Sequence, residues 1–283
     1  LNTQSEVAEQ VKHEVRKAAR KAAPWVERLA RFGYASKGVV YATMGVLAVR
    51  AAVRTHEHPS DPRGALFRIG EQPFGQFLLV TLALGLIGYA LWQVTRAVRD
   101  PEHQGHGAKG VIKRVGYFVS GVVYTGLAWY AFRLATARAQ ESNTAHDDWT
   151  ATFLSWPLGE FLVGAAGVVA LAVAANQAYV AWTAAFLKRI RFGGVGERRC
   201  ATMRLIGQIG IAARGVVLAI IGWFLLDAAW THNPERAGGI RDALVMLERA
   251  PAGPWLLGVV AVGVFAYGLF AFVQAAYRRI HVD

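Results

Sequence analysis

The chain has 283 residues, of which 54% are hydrophobic and only 18% charged, with 30 glycines and 9 tryptophans. A soluble domain carries roughly 45–50% apolar and about 25% charged residues, so this composition excludes an ordinary water-soluble protein. The net charge of +12 raises nucleic acid or an anionic membrane surface as partners, while the single cysteine, Cys200, excludes an intramolecular disulfide and a thiolate metal cluster.

In chain order, residues 1–30 place Val7, Val11, Val15, Ala19, Ala22, Val26 and Leu29 at three- and four-residue steps, with Lys12, Arg16, Lys17, Arg20 and Lys21 on the other faces. This pattern predicts a basic amphipathic helix on the anionic inner leaflet, with Trp25 at headgroup depth. The segment lacks the apolar core and small-residue cleavage site of a secretory signal. Six apolar stretches follow, at Phe32–Val53, Phe74–Val98, Val115–Thr136, Pro157–Leu187, Ile206–Trp230 and Trp255–Tyr277. Each is near the ~20 residues that cross a bilayer core of about 30 Å. They are apolar on every face, unlike helices with a charged side, and show no alternation of barrel strands. The expected fold class is all-α: a polytopic membrane protein with six transmembrane helices.

Six spans put both termini on one side. Lysine and arginine gather in the N-terminal segment, in the second loop (Arg96, Arg99, Lys109, Lys113, Arg114), in the fourth (Lys188, Arg189, Arg191, Arg198, Arg199, Arg204) and in the tail (Arg278, Arg279). The opposite side carries fewer, so the positive-inside rule predicts cytoplasmic N- and C-termini. These basic residues flank spans rather than forming a reading motif. Nucleic acid is therefore not an expected partner, whereas a bilayer with an anionic inner leaflet is.

The odd spans open alike. Arg31-Phe-Gly33-Tyr34-Ala-Ser-Lys37-Gly38-Val-Val-Tyr41 recurs as Arg114-Val-Gly116-Tyr117-Phe-Val-Ser120-Gly121-Val-Val-Tyr124 and as Gln208-Ile-Gly210-Ile211-Ala-Ala-Arg214-Gly215-Val-Val-Leu218. Pro73-Phe-Gly75, Pro157-Leu-Gly159 and Pro251-Ala-Gly253 head the even spans, and Gly85-Leu-Ile-Gly-Tyr89 recurs as Gly263-Val-Phe-Ala-Tyr267. The chain is thus three parallel two-helix repeats (31–100, 112–190 and 203–280) about a pseudo-threefold axis along the membrane normal, an equivalent helix of each copy nearest the centre. Tyr34, Gly38, Tyr41 and Gly45 form one helical stripe, with Tyr117, Gly121, Tyr124 and Ala128, then Ile211, Gly215, Leu218 and Gly222, as its counterparts. Small residues let backbones approach where lipid supplies no hydrophobic drive, so these stripes are expected to pack helices. The prolines suit the first turn of the even helices.

Three copies of Gly-Tyr-x3-Gly-Val-Val-Tyr type, each followed by a Pro-x-Gly-headed helix, resemble the bacterial membrane family catalogued as domain of unknown function 1206, over about residues 30–280. The resemblance implies three two-helix units in the bacterial inner membrane and carries no established activity or catalytic residues. The third copy departs from it at Ile211 and Leu218.

No enzyme and no cofactor is expected. All eight histidines (His13, His56, His58, His103, His106, His146, His232, His281) fall outside the spans, leaving no axial ligand for an intramembrane haem and no histidine base inside the bilayer. His56-Glu57-His58 lacks the four-residue spacing of a zincin helix. Lys37 and Arg214 occupy matching positions near the cytoplasmic span ends, where snorkelling to the interface accounts for them. Arg50, Arg133 and Asp227 are equivalent at the outer ends of the odd spans and are candidates for an outer ionic cap. Asn176 and Gln177, with Gln93 matching Gln177, are candidates for a polar core of interhelical hydrogen bonds. In the outer loops, Leu66 with Ile69 and Leu244 with Leu247 predict short amphipathic helices on the outer face. The functional expectation is a non-enzymatic accessory or scaffold component packing against other integral membrane proteins. The alternative is a small-solute transporter or channel with its pathway between the three repeats.

Overall fold

The computed structural model describes residues 2–54, 59–99, 107–137, 159–191, 196–233 and 236–279, without the side chains of 2–23 and 108–109. The side chains of His13 and of most of the N-terminal basic and apolar stripes are not described, and Pro157 and every other histidine except His232 lie outside the described residues. The elements are α1 (Asn2–Val53), α2 (Pro62–Gly70), α3 (Gly75–Arg99), α4 (Ala108–Ala137), α5 (Gly159–Thr183), a 3-10 turn (Ala185–Arg189), α6 (Glu197–Thr231), α7 (Ile240–Arg249) and α8 (Gly253–Tyr277). Among the described residues six helices are long and apolar enough to cross a membrane: α1 from Pro24 onward, α3, α4, α5, α6 and α8. The N-terminal segment and the first span are one uninterrupted helix through Pro24.

The outward faces carry Phe77, Leu84, Leu91, Val122, Trp129, Phe161 and Val259, all exposed. Such a surface suits hydrocarbon as solvent, with every span's backbone satisfied inside its own helix. Trp25 and Trp182 mark span ends on the side of the termini, and Trp230 and Trp255 mark them on the far side. Tryptophan favours these interfaces. The fourth span stops at Thr183 rather than continuing to Leu187, because Ala184 turns left-handed at φ 51°. An extended contact then ties this side together: Arg191 donates its N–H to the Tyr277 carbonyl at 2.8 Å, and Arg279 to the Arg189 carbonyl at 3.0 Å.

On the far side, α2 and α7 are the expected short amphipathic helices. Leu66, Ile69 and Leu244 are buried against the bundle, and Leu247 packs at the edge of the same core. Asp61 caps α2 by accepting the Gly64 N–H at 2.8 Å. Each short helix runs straight into an even span. Pro73 and Pro251 sit in the intervening turn rather than in the first helical turn, and Phe74 and Ala252 adopt φ 63° and 60° to make it. Gly75 and Gly253 follow, where a Cβ would strike the carbonyls of Gly70 and Glu248.

The helices follow one another around a pseudo-threefold axis, but the tightest pairs join neighbouring repeats: α8 with α1, α3 with α4, and α5 with α6. Three equivalent glycines explain this. A Cβ on Gly38 would meet the Gly268 carbonyl at 3.1 Å and Phe272 at 3.0 Å; on Gly121, the Ala90 carbonyl at 3.4 Å and Val94 at 3.0 Å; on Gly215, the Ala174 carbonyl at 3.5 Å and Ala178 at 3.8 Å. These partners are the same two positions of the even helix in every copy. The side of the termini repeats the pattern in hydrogen bonds. Arg31 donates to the Ala275 carbonyl at 2.7 Å, Arg114 to Ala97 at 2.6 Å, and Gln208 to Ala181 at 2.9 Å. The opening residue of each repeat thereby satisfies carbonyls left over at the end of the preceding even helix.

The two helices of one repeat also pack together in the first and third copies. A Cβ on Gly33 would lie 2.5 Å from the Tyr89 backbone nitrogen, and one on Gly210 would lie 2.5 Å from that of Tyr267. Ser36 abuts Gly85, and Ala213 abuts Gly263. The second copy breaks the rule. Gly116 has nothing within 4 Å of its Cβ position, and α4 does not pack along α5 as the corresponding pairs do. Where the other copies place Ser36 with Gly85 and Ala213 with Gly263, this one has Val119 and Val169, which are 54% and 60% exposed. Two branched side chains cannot meet at the spacing a glycine allows. Among the described residues, the ring of six helices therefore lacks between α4 and α5 the seam that closes the other two repeats.

Candidate functional site

The odd helices α1, α4 and α6 carry Lys37, Ser120 and Arg214 at equivalent positions around the centre. Lys37 is 3% exposed, and its ammonium donates to Tyr267 Oη at 2.8 Å and to Tyr89 Oη at 3.2 Å. It also faces the rings of Tyr41, Tyr89, Tyr124 and Tyr267 at 4.9–5.7 Å from their centroids. Arg214 is half-buried, with its guanidinium 5.2 Å from the Tyr267 ring. Tyr124 Oη donates to Tyr41 Oη at 3.3 Å, and edge-to-face contacts join Tyr41 to Tyr267 and Tyr89 to both Tyr34 and Tyr124. Each desolvated cation–ring contact contributes about 2 kcal/mol. Snorkelling therefore does not describe Lys37. Two phenol oxygens and several ring faces replace the water its ammonium would otherwise seek.

Further positive charge stands nearer the side of the termini. Arg96 is buried, donates to Gln93 Oε1 at 2.7 Å, and lies 3.6 Å from the centroid of the Tyr117 ring. Arg278 is buried over Tyr34 at 5.1 Å. Among the described residues, the ion pairs of the protein involve neither Lys37 nor Arg214. The centre is a cationic group held by phenols.

Residues 32–100, 115–184 and 209–278 each match the family described as "Domain of Unknown Function (DUF1206)", in register with the three helix pairs. The chain belongs to the DUF1206 family. It is a bacterial multi-pass membrane protein with a threefold internal repeat. It is also 32% identical over 257 residues to "Uncharacterized protein YxxB" of Bacillus subtilis (strain 168), a match covering 91% of this chain and 93% of that protein. No solved structure matches it.

Within the DUF1206 copies, the candidate packing residues fall on two levels. Gly38, Gly121 and Gly215 line the seams between repeats, and Tyr34 and Tyr117 stack with arginines on the side of the termini. Tyr41 and Tyr124 instead face Lys37. The amides do not gather into one polar core. Gln93 is engaged by Arg96, Gln177 lies half-buried with its Cβ 3.2 Å from the Cβ position of Gly215, and Asn176 is exposed on another face of α5, since adjacent residues point about 100° apart. At the outer end, Asp227 accepts from Arg236 of the following loop at 3.2 Å, while Arg50 and Arg133 are exposed. The loop supplies a nearer cation than the axis does. Sequence reasoning missed Tyr89 and Tyr267 as ligands of Lys37. The signal was present in the matched Gly85–Tyr89 and Gly263–Tyr267 segments, with Val173 the departure in the second copy.

Proposed function

We propose that the protein is a non-enzymatic accessory or scaffold component of a membrane assembly, with both termini in the cytoplasm and its basic segments on an anionic inner leaflet. The observation that carries this reading is the filled interior beyond Lys37. Met44 and Ala48 of α1, Leu66 of α2, Leu127 and Ala131 of α4, Leu244 of α7, and Leu257 and Ala261 of α8 are buried in one continuous apolar cluster. A solute moving along the axis would have to displace close-packed side chains, which protein interiors resist. Among the described residues, the exposed apolar side chains of α4 and α5, such as Val119, Val169 and Val173, offer helix surface to neighbouring membrane proteins.

Purification in mild detergent from native membranes, with quantitative identification of co-purifying proteins, tests the proposal. A stoichiometric membrane partner, with no anion flux above empty vesicles after reconstitution, is the expected outcome. Recovery alone, with flux, would favour the second reading, passage of a small anion, for which Lys37 and Arg214 are the supporting observation. Orientation is tested separately. A Glu197→Cys variant in a Cys200→Ser background should react with an impermeant maleimide in inverted vesicles and not in intact cells.

A further inference from the structure

We propose that the groove between α5 and α6 on the far side of the bundle binds a phospholipid of that leaflet whose headgroup carries a primary ammonium beside its phosphate, as phosphatidylethanolamine does. The groove encloses about 400 Å³ between Phe161 and Gly164 of α5 and Leu226 and Trp230 of α6. Its floor is the closest approach of the two helices, where the Ala229 Cβ lies 3.5 Å from the Cβ position of Gly164. At its outermost end His232, which closes α6 in the left-handed conformation, meets Glu160 in the first turn of α5, with Nε2 2.6 Å from Oε2. An apolar trough thus runs from a charged rim down a lipid-facing seam, the shape of one phospholipid with its acyl chain below and its headgroup above.

The equivalent seams of the other repeats lack these parts. Between α3 and α4, Val80 stands in place of Gly164 and Phe132 in place of Leu226, so side chains fill the trough. Gln76 and Pro254 replace Glu160, and Thr136 and Val53 replace Trp230. The outer helix of a repeat leaves this seam uncovered. With α2 and α7 in place, Phe77 and Trp255, the counterparts of Phe161, are 71% and 81% exposed.

The rim selects the headgroup. Glu160 and His232 are both well exposed, and an exposed ion pair contributes little to stability. A zwitterion that offers each partner its opposite charge can therefore exchange with the pair at small cost. Its ammonium donates to the Glu160 carboxylate, and its phosphate accepts from the His232 ring and from the indole N–H of Trp230. Tryptophan at this depth suits the headgroup layer. Phosphatidylcholine has no N–H to give the carboxylate, and phosphatidylglycerol brings Glu160 no cation at all.

Native mass spectrometry of the detergent-purified full chain tests the proposal, with the didecanoyl forms of phosphatidylethanolamine, phosphatidylcholine and phosphatidylglycerol as probes and soluble phosphoethanolamine as competitor. One phosphatidylethanolamine should be retained in preference to the other two lipids. Glu160→Gln should weaken it by about tenfold or more, the loss of one charge-assisted contact, and leave phosphatidylcholine unchanged. Gly164→Val with Leu226→Phe, which installs the residues of the first repeat, should weaken phosphatidylethanolamine through the trough alone. Equal retention of the three lipids, indifference to Glu160→Gln, full retention by the filled-trough variant, or displacement by equimolar phosphoethanolamine would overturn the assignment. If the filled-trough variant fails to fold, Trp230→Thr serves, since it copies the first repeat at an exposed position. It should also weaken phosphatidylethanolamine, and unchanged retention there would overturn the assignment equally.

Discussion

The sealed helix pairs, α1 with α3 and α6 with α8, differ from the unsealed pair α4 and α5 at a handful of side chains. In the sealed pairs a glycine lies directly on a tyrosine backbone, and one turn away Ser36 or Ala213 fits against Gly85 or Gly263. In the unsealed pair the first glycine survives as Gly116, but its opposite number is Val173, and Val119 and Val169 occupy the small-residue positions. The lesson concerns association in lipid. A retained glycine does not close a helix pair when its neighbours hold the backbones apart, because close contact must extend over successive turns to offset the lipid contacts it displaces.

The strongest way to break this comparison is alanine at the three equivalent glycines. Gly33→Ala and Gly210→Ala each force a methyl to within 2.5 Å of backbone atoms, whereas the same methyl at Gly116 meets nothing. The first two variants should lose about 1–3 kcal/mol or more through overpacking. Gly116→Ala should be neutral or gain up to about 1 kcal/mol from helix propensity. Thermal unfolding in detergent reads all three, and equal losses would remove the distinction between the pairs.

A smaller effect comes from transplanting the sealed pattern. Val119→Ser combined with Val169→Gly installs the residues of the first copy in the second. The variant should bring α4 against α5 and protect their facing positions from lipid-soluble oxygen in spin-label measurements. Unchanged accessibility would mean that something besides these side chains holds the helices apart.

Next come the equivalent hydrogen bonds between repeats. Arg31→Ala removes charge-assisted bonds to the Ala275 and Ala276 carbonyls and should cost about 1.5–3 kcal/mol. Gln208→Ala removes one neutral bond and should cost about 0.5–1.5 kcal/mol. The order Arg31 before Gln208 is the checkable result in chemical unfolding. Smallest of all, Asp227→Asn touches an outer ion pair with Arg236 that solvent reaches, so its cost should lie at about 0–1 kcal/mol. A large loss there would restore a role for the acid at the axis.

Much of this architecture was legible in the residues. The six spans, the threefold repeat and the outer amphipathic helices follow from apolar runs, matched motifs and the steps of Leu66 with Ile69 and Leu244 with Leu247. Which helices pair most tightly was not, because Gly38, Gly121 and Gly215 announce a close contact without naming its partner. The fate of Lys37 was hidden for a related reason. Its ligands Tyr89 and Tyr267 come from helices 52 and 230 positions away, and a lysine near a span end has a plausible solvent route until those phenols are placed beside it. Asp227 taught the converse. Equivalence with Arg50 and Arg133 by repeat did not outweigh Arg236 in the adjoining loop.

The central claim is that, among the described helices, α4 and α5 do not pack together as the other two pairs do, and spin labels at residues 119 and 169, introduced together in a Cys200→Ser background and reconstituted in bilayers, test it most directly. The account predicts two labels that are each accessible to oxygen and show no mutual spin broadening. Strongly broadened, oxygen-shielded spectra would show α4 and α5 packed like the other two pairs, and would contradict it.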